Sequence, residues 1–357
     1  MPENSSEEAN IRSGVPAAIG AAMLFGLSTP LAKLLVGSVS PLLLSGLLYL
    51  GSGLGLAVLL LVRGARGRRA GITFPRGTEV LWLLGAIAAG GVLGPYLQMF
   101  GLARTDAATA SLILNLEGVF TALLAWVVFN ENFDRRIALG MALILGGGVL
   151  LALGGPLSAT SLIGPLAIAG ACLAWGLDNN LTRKVAVNDA MFIACTKGLV
   201  AGCVSVGLAL LGGAQLPGID IVLAAGALGF FGYGLSLMLF VLALRNLGTA
   251  RTGAYFSLAP FAGAAFALLL GAPMTLALGM AGVLMAIGVW LHLSEDHSHT
   301  HVHPDLAHMH PHTHDAHHQH AHPAGWDGEE PHSHEHEHLP LEHAHAHYPD
   351  IHHRHAH

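Results

Sequence analysis

For its first 293 residues the chain alternates long apolar runs with short polar breaks, and then its character changes. Ten apolar segments have the roughly 20 residues needed to cross a hydrocarbon core of about 30 Å. They are expected at 14–36, 41–62, 79–102, 106–129, 137–154, 161–183, 189–211, 220–244, 249–271 and 274–293. Helix is the expected state of each, because lipid offers backbone groups no partners and strand-type alternation is absent. Connections as short as Gly37–Ser40 and Gly271–Pro273 force neighbouring helices to run antiparallel.

The pattern repeats. Phe25-Gly26-Leu27 in the first span matches Trp175-Gly176-Leu177 in the sixth, and Lys33 falls opposite Arg183. Ala138-Leu139-Gly140-Met141-Ala142 in the fifth recurs as Ala277-Leu278-Gly279-Met280-Ala281 in the tenth, and Arg104 after the third corresponds to Arg245 after the eighth. Five spans is an odd number, so the halves 14–154 and 161–293 must sit with opposite topology. Inverted repeats framing a midplane site are an architecture of membrane carriers. The expected fold is an all-α integral membrane bundle of two inverted five-helix repeats, with a polar N-terminal segment (1–13) and a disordered tail (294–357).

These features resemble the drug/metabolite transporter superfamily, specifically its EamA-type ten-helix members. The resemblance covers roughly residues 14–293. It rests on the aromatic-Gly pairs Phe25-Gly26 and Trp175-Gly176, and on Gln98-Met99-Phe100-Gly101-Leu102-Ala103 at the end of the third span. Phe129-Asn130-Glu131 and Leu258-Ala259-Pro260 also carry it. It implies a secondary carrier that moves small metabolites, often outward, along a path between the halves. Gly118 stands where the fourth span would carry the proline that Pro260 keeps in the ninth, and Gly271-Ala272-Pro273 replaces a second copy of Glu131.

Composition agrees with a membrane bundle: 53% hydrophobic and 11% charged residues, with a mean hydropathy of +0.58. A soluble domain carries about 25% charged residues. Forty-six glycines suit closely approaching membrane helices. Cys172, Cys195 and Cys203 lie in apolar segments without a CxxC spacing, so neither a disulfide framework nor a zinc knuckle is indicated. The acidic N-terminal residues do not read as a cleaved signal peptide. Basic residues cluster on one side of the spans: Arg63, Arg66, Arg68, Arg69 and Arg76, then Arg135 and Arg136, Arg183 and Lys184, Arg245 and Arg251. The opposite side offers little beyond Arg104, so both termini are expected in the cytoplasm of a cell-membrane protein.

An ionisable group at the bilayer centre costs about 2.5–3.5 kcal/mol on insertion scales, so each needs a reason. Glu117 lies mid-way along the fourth span with Asn115 two residues before it. Asp178 lies deep in the sixth, followed by Asn179 and Asn180, and Lys197 lies in the seventh. Glu117 or Asp178 could couple transport to protons or hold substrate, with polar neighbours lining a wet cavity. Alternatively Asp178 and Lys197 form a buried ion pair that pins two helices, or Lys197 meets an anionic group of the substrate. Lys33 and Glu131 are near enough to span ends to snorkel or cap. Trp175 and Tyr96 could line the path or simply pack, and Pro95, Pro165 and Pro260 mark kinks.

The tail is the second message. All 24 histidines lie beyond Leu291, in runs at His297, His299, His301 and His303, at His308, His310, His312 and His314, and at His332, His334, His336 and His338. The first 293 residues carry 15 basic and 11 acidic residues, the remainder 1 and 11. So polar a segment cannot bury a core, and disorder is expected. In an extended chain residues two apart face alike, so His-x-His offers paired imidazoles to Zn²⁺, Ni²⁺, Co²⁺ or Cu²⁺, with Glu335 and Glu337 as further donors. Such redundancy suits a multivalent buffer better than one fixed tetrahedral site. With a reference histidine pKa of about 6.5, acidification would turn the tail basic and release metal.

A GxxxxGK[ST] motif and a Cys-plus-His nucleophile pattern are missing from the sequence, which argues against ATP hydrolysis and against a membrane protease or acyltransferase built on such a nucleophile. No cofactor is required by this reading. The expected partners are the bilayer, a small-molecule substrate and divalent metal ions; nothing points to nucleic acid, and a homodimer stays open. The leading expectation is a secondary carrier of a small metabolite such as an amino acid, with a metal-binding tail. The alternatives are a divalent-metal transporter and a membrane-anchored metal-sequestering or sensing scaffold.

Overall fold

Helix forms wherever the apolar runs predicted it. The computed structural model describes residues 3–65, 75–129, 135–154, 159–185 and 189–293, and in the tail 298–303, 306–312, 332–338 and 341–346. Arg66, Arg68, Arg69, Glu131, His297 and His314 lie outside the described residues. The helices are α1 (Glu3–Leu35), α2 (Pro41–Ala65), α3 (Thr78–Ala86), α4 (Gly94–Leu102), α5 (Ala107–Ile113), α6 (Leu116–Phe129) and α7 (Arg135–Leu153) in the first half. The second half has α8 (Ala159–Arg183), α9 (Ala190–Leu211), α10 (Ile219–Gly229), α11 (Ser236–Phe256), α12 (Ala259–Leu269) and α13 (Leu276–Leu293). Among the described residues eight stretches are long and apolar enough to cross a membrane, and the shorter apolar helices Ala259–Leu269 and Leu276–Leu291 complete the ninth and tenth spans.

Several boundaries differ from expectation. The first span runs Gly14–Leu35 as expected, while the helix that carries it, α1, extends back to Glu3. The third span is α3 and α4 joined by a π-helical stretch, Ile87–Leu93, and the eighth contains a second such stretch, Phe230–Leu235. The two correspond in the repeat. Helix α11 takes in the end of the eighth span and the start of the ninth. A straight helix would hold Phe240 and Phe256 about 24 Å apart at 1.5 Å per residue. Their rings instead lie 4.8 Å apart, so α11 doubles back and the spans are antiparallel as expected.

Local chemistry sets the remaining ends. Asp106 caps α5 by accepting from Thr109 N, and Asp189 caps α9 by accepting from Phe192 N. Gly37 (φ 102°) and Gly271 (φ 94°) turn the chain in the left-handed region after α1 and after α12. Large apolar side chains such as Leu61, Leu81, Val127, Leu211 and Leu223 face outward. In water such a surface would be unstable; in lipid it is the expected exterior.

The halves interlock rather than sit side by side. Equivalent helices pair across the pseudo-twofold, α2 with α9 and α7 with α13, while α1 packs on α11 and α12, and α8 on α4 and α6. Glycine makes the central pair possible. A Cβ on Gly198 would stand 2.7 Å from Gly53 N and 3.0 Å from Tyr49 O, closer than a side chain tolerates. This is the small-residue contact by which membrane helices approach when water supplies no driving force.

The tail, Glu295–His357, is a separate compact unit. Four described stretches pair as antiparallel strands: β1 (Ser298–His303) with β4 (Leu341–Ala346), and β2 (Leu306–His312) with β3 (His332–His338). His-x-His alternation has a period of two, which is the strand period.

Candidate functional site

Two spans are broken at equivalent places in the repeat. The ninth parts at Ser257-Leu258, just before Pro260, which has no N–H for the helical ladder. The fourth parts at Leu114-Asn115 although Gly118 stands where the proline would be. There the backbone tightens, with Leu114 N donating to Ser111 O and Asn115 N to Leu112 O. The buried Asn115 amide also donates to Leu112 O at 2.9 Å, capping a carbonyl near the break. A broken helix inside a bilayer is tolerated where it is buried in protein or lines a cavity.

It lines a cavity here. A space of ≈ 250 Å³ is bounded by both breaks, including Asn115, Glu117, Gly118, Ser257 and Pro260, with Phe25 and Phe256 among its apolar walls. That is slightly below the ~300–1,000 Å³ typical of drug-sized sites. The aromatic-Gly motif explains the walls. Gly26 lets α1 close onto the Ala259 carbonyl at the start of α12, and Gly176 lets α8 close onto Phe120 and Thr121 of α6. Each half thus presses its motif against the broken helix of the other.

Glu117 belongs to the first turn of α6. Asn179 Nδ2 on α8 donates to Glu117 Oε1 at 3.0 Å and to Thr121 Oγ1 at 3.2 Å. Asp178, one residue earlier, turns to the other side of α8 and is only 6% exposed. Lys197 Nζ on α9 donates to both of its oxygens, at 2.6 and 2.7 Å, and Thr182 Oγ1 adds a bond to Oδ1 at 2.8 Å. The structure thus sets Glu117 and Asn115 on the cavity wall, with Asn179 bonded to Glu117 from outside the lining, and ties Asp178 to Lys197.

Trp175 does not line the cavity. Its Nε1 donates to Gly90 O at 3.0 Å, and Tyr49 Oη donates to the same carbonyl at 2.9 Å. The reason is local. In a π-helical register Gly90 O would receive the N–H of residue 95, and residue 95 is proline. The orphaned carbonyl is satisfied by side chains from α2 and α8. Gly90 is required there, because a Cβ would collide with the Asp178 carboxylate.

Other residues complete the midplane. Tyr233 Oη donates to Gln98 Oε1 at 3.2 Å, and Gln98 Nε2 donates to Thr29 Oγ1 at 3.3 Å, deep between α1, α4 and the second π-helical stretch. Phe25 and Tyr233 rings pack edge to face at 5.9 Å. Sequence reasoning missed Phe25 and Phe256 as cavity walls, and Tyr49 and Tyr233 as hydrogen-bonding groups inside the bundle; a tyrosine hydroxyl in the middle of an apolar span was the available signal. Tyr96 stacks on Phe100 at 6.0 Å and is not part of the cavity lining. Lys33 donates to Leu102 O and Thr105 O, so it caps the end of α4. Arg63 meets Asp189 at 3.0 Å, joining α2 of one half to α9 of the other.

These features define a class: an interlocked pair of inverted repeats, each with a broken helix facing a small cavity between them, is a multi-pass membrane transporter. The chain belongs to the EamA-like transporter family, which it matches over residues 12–153 and 162–294. It is 30% identical over 289 residues to an uncharacterized transporter of Methanothermobacter thermautotrophicus, covering 76% of this chain and 84% of that one. It is 24% identical over 212 residues to the uncharacterized transporter YyaM of Bacillus subtilis, covering 56% and 70%. A 70-residue stretch is 40% identical to a probable 4-amino-4-deoxy-L-arabinose-phosphoundecaprenol flippase subunit ArnE of Pseudomonas fluorescens, covering 20% of this chain and 60% of that one. One solved crystal structure superposes with a TM-score of 0.58 at 21% identity, over 78% of this chain and 95% of that one, and speaks to the fold alone.

Proposed function

We propose that the chain is a secondary carrier of a small amino-bearing metabolite, such as an amino acid, working by alternating access through the cavity between the two broken helices. The observation that carries this reading is Glu117: a carboxylate on the wall of an otherwise largely apolar cavity, held by a neutral amide. Such a wall suits a cargo with an ammonium group at one end and an apolar body that rests against Phe25, Phe256, Ile144 and Val289. In the same reading Glu117 couples transport to protons, because a carboxyl partnered by an amide can give up or take a proton without stranding a cation. Asp178, already neutralised by Lys197, serves to pin α8 to α9. The carrier is not an enzyme, and it sits in the cell membrane with both termini and the tail in the cytoplasm, the side favoured by its basic loops.

A bare metal ion fits the cavity less well. Among the described residues no group of three or more His, Cys, Asp or Glu side chains could hold one. The tail is the segment suited to Zn²⁺, Ni²⁺, Co²⁺ or Cu²⁺, as a regulator or store rather than as the path of the cargo. The purified chain in proteoliposomes, preloaded with unlabelled amino acids or with Zn²⁺, separates these. Counterflow of a labelled amino acid supports the reading. Counterflow of ⁶⁵Zn²⁺ alone would overturn it in favour of a metal carrier, and neither would favour a scaffold.

A further inference from the structure

Asn115 holds one polar atom in reserve. The residue is only 8% exposed, and its amide nitrogen is engaged twice, donating to Leu112 O at 2.9 Å and to Met285 Sδ at 3.8 Å. Leu112 O can only accept, so the nitrogen must lie on that side and Oδ1 on the other. Asn115 directly precedes α6, where an amide oxygen commonly accepts from the first helical turn. It does not do so here. Glu117 N donates to Leu114 O, and among the described residues Asn115 Oδ1 has no donor. The described side-chain oxygens sealed away without a partner are those of Thr105 and Thr252, and Asn115 Oδ1 is not one of them. An unpaired oxygen that is not sealed opens onto free space, and the space that Asn115 borders is the cavity.

Glu117 is in the same position. Asn179 occupies its Oε1 at 3.0 Å, and Oε2 has no donor among the described residues. Two unpaired acceptors, one of them on a carboxylate, thus stand two residues apart on the cavity wall. None of the described lining residues is Lys, Arg or His, so the lining supplies no cation to them. The Phe25 and Phe256 rings, with centroids 5.5 Å apart, add an aromatic wall. A carboxylate and aromatic faces would hold any small organic cation, a fully methylated one included. A carbonyl oxygen asks for more, because only a donor hydrogen satisfies it.

Resting on the proposed amino-bearing cargo, we infer that Asn115 Oδ1 is the specificity-determining acceptor of this cavity. It and Glu117 Oε2 take the N–H groups of a primary ammonium, with the apolar body of the cargo against the two phenylalanines. The carrier therefore selects primary amines over their N-methylated counterparts. A methyl in place of the N–H would leave the amide oxygen buried and unpaired, which is how a site built to bond a donor rejects an analogue that lacks it.

The test is exchange of labelled leucine and labelled N,N,N-trimethylleucine by the purified full chain in proteoliposomes. The parent should exchange leucine at least about tenfold faster, the factor that one hydrogen bond to a charged group supplies. Asn115→Leu should lose that preference, with leucine exchange falling and trimethylleucine exchange unaffected. Asn115→Asp keeps an acceptor but not the Nδ2 donor, and it should keep the preference. In both variants Leu112 O retains the backbone N–H of residue 115, at 3.1 Å in the parent. If both variants lose leucine exchange alike, Asn115 acts through its donor to Leu112 O and the acceptor role is wrong. A parent that exchanges both compounds equally also overturns that role, while leaving an amino-bearing cargo in place. A parent that exchanges neither overturns the amino-bearing cargo and, with it, the role of Asn115.

Discussion

Lys197 reaches both oxygens of Asp178, at 2.6 and 2.7 Å, whereas Glu117 in the same layer meets the neutral amide of Asn179 at 3.0 Å. The neighbouring residues Asp178 and Asn179 thus hand their helix two different tasks. One side of α8 is locked to α9 by charge, and the other addresses a carboxylate on the cavity wall.

The lock should be mechanical. Removing one partner of a buried ion pair costs about 3–5 kcal/mol because the other charge is stranded. Lys197→Met and Asp178→Asn should each lower the thermal unfolding temperature in detergent strongly. The double variant should recover part of the loss. Equal stability of Lys197→Met and the parent would show that the pair does not hold the helices.

The shared acceptor makes a second prediction. Gly90 O keeps one donor in either Tyr49→Phe or Trp175→Phe, so each single change should cost about 1 kcal/mol or less, whereas the double variant leaves a buried carbonyl unpaired at about 1–3 kcal/mol. A chemical denaturation cycle should therefore show a double loss larger than the sum of the single ones. Strict additivity would mean the two donors act separately.

Glycine content predicts little by itself, but position does. Gly198→Ala forces a methyl against Gly53 N at 2.7 Å, where backbone cannot yield, while Gly146 has nothing within 4 Å of the same addition. Overpacking of this kind costs about 1–3 kcal/mol. Gly198→Ala should destabilise the folded carrier and Gly146→Ala should not, as read by unfolding in detergent. The reverse order would contradict the α2–α9 crossing.

Hydropathy alone located the spans, because lipid demands length and apolarity from every one of them. The repeat was legible in Phe25-Gly26 and Trp175-Gly176, and the structure supplies its reason, the close approach of Gly26 and Gly176 to the broken helices. The pairing of Asp178 with Lys197 was one of the readings open in the sequence, and the structure places the two side chains in contact. The break in the fourth span was not legible as such: Gly118 removes the proline signal, and the capping of Leu112 O by Asn115 emerges only in three dimensions. The joint demand of Tyr49 and Trp175 on Gly90 was hidden for the same reason, since it depends on a π-helical register opposite Pro95.

The account turns on Glu117. The decisive measurement is uptake of a labelled amino acid found by counterflow, into proteoliposomes carrying either the parent chain or Glu117→Gln, with and without an imposed pH gradient. The parent should accumulate cargo when the gradient is applied. Glu117→Gln should lose that response while keeping its folded state and any residual exchange. Gradient-driven accumulation by Glu117→Gln at the parent's level would contradict the assignment and move the coupling group elsewhere in the bundle.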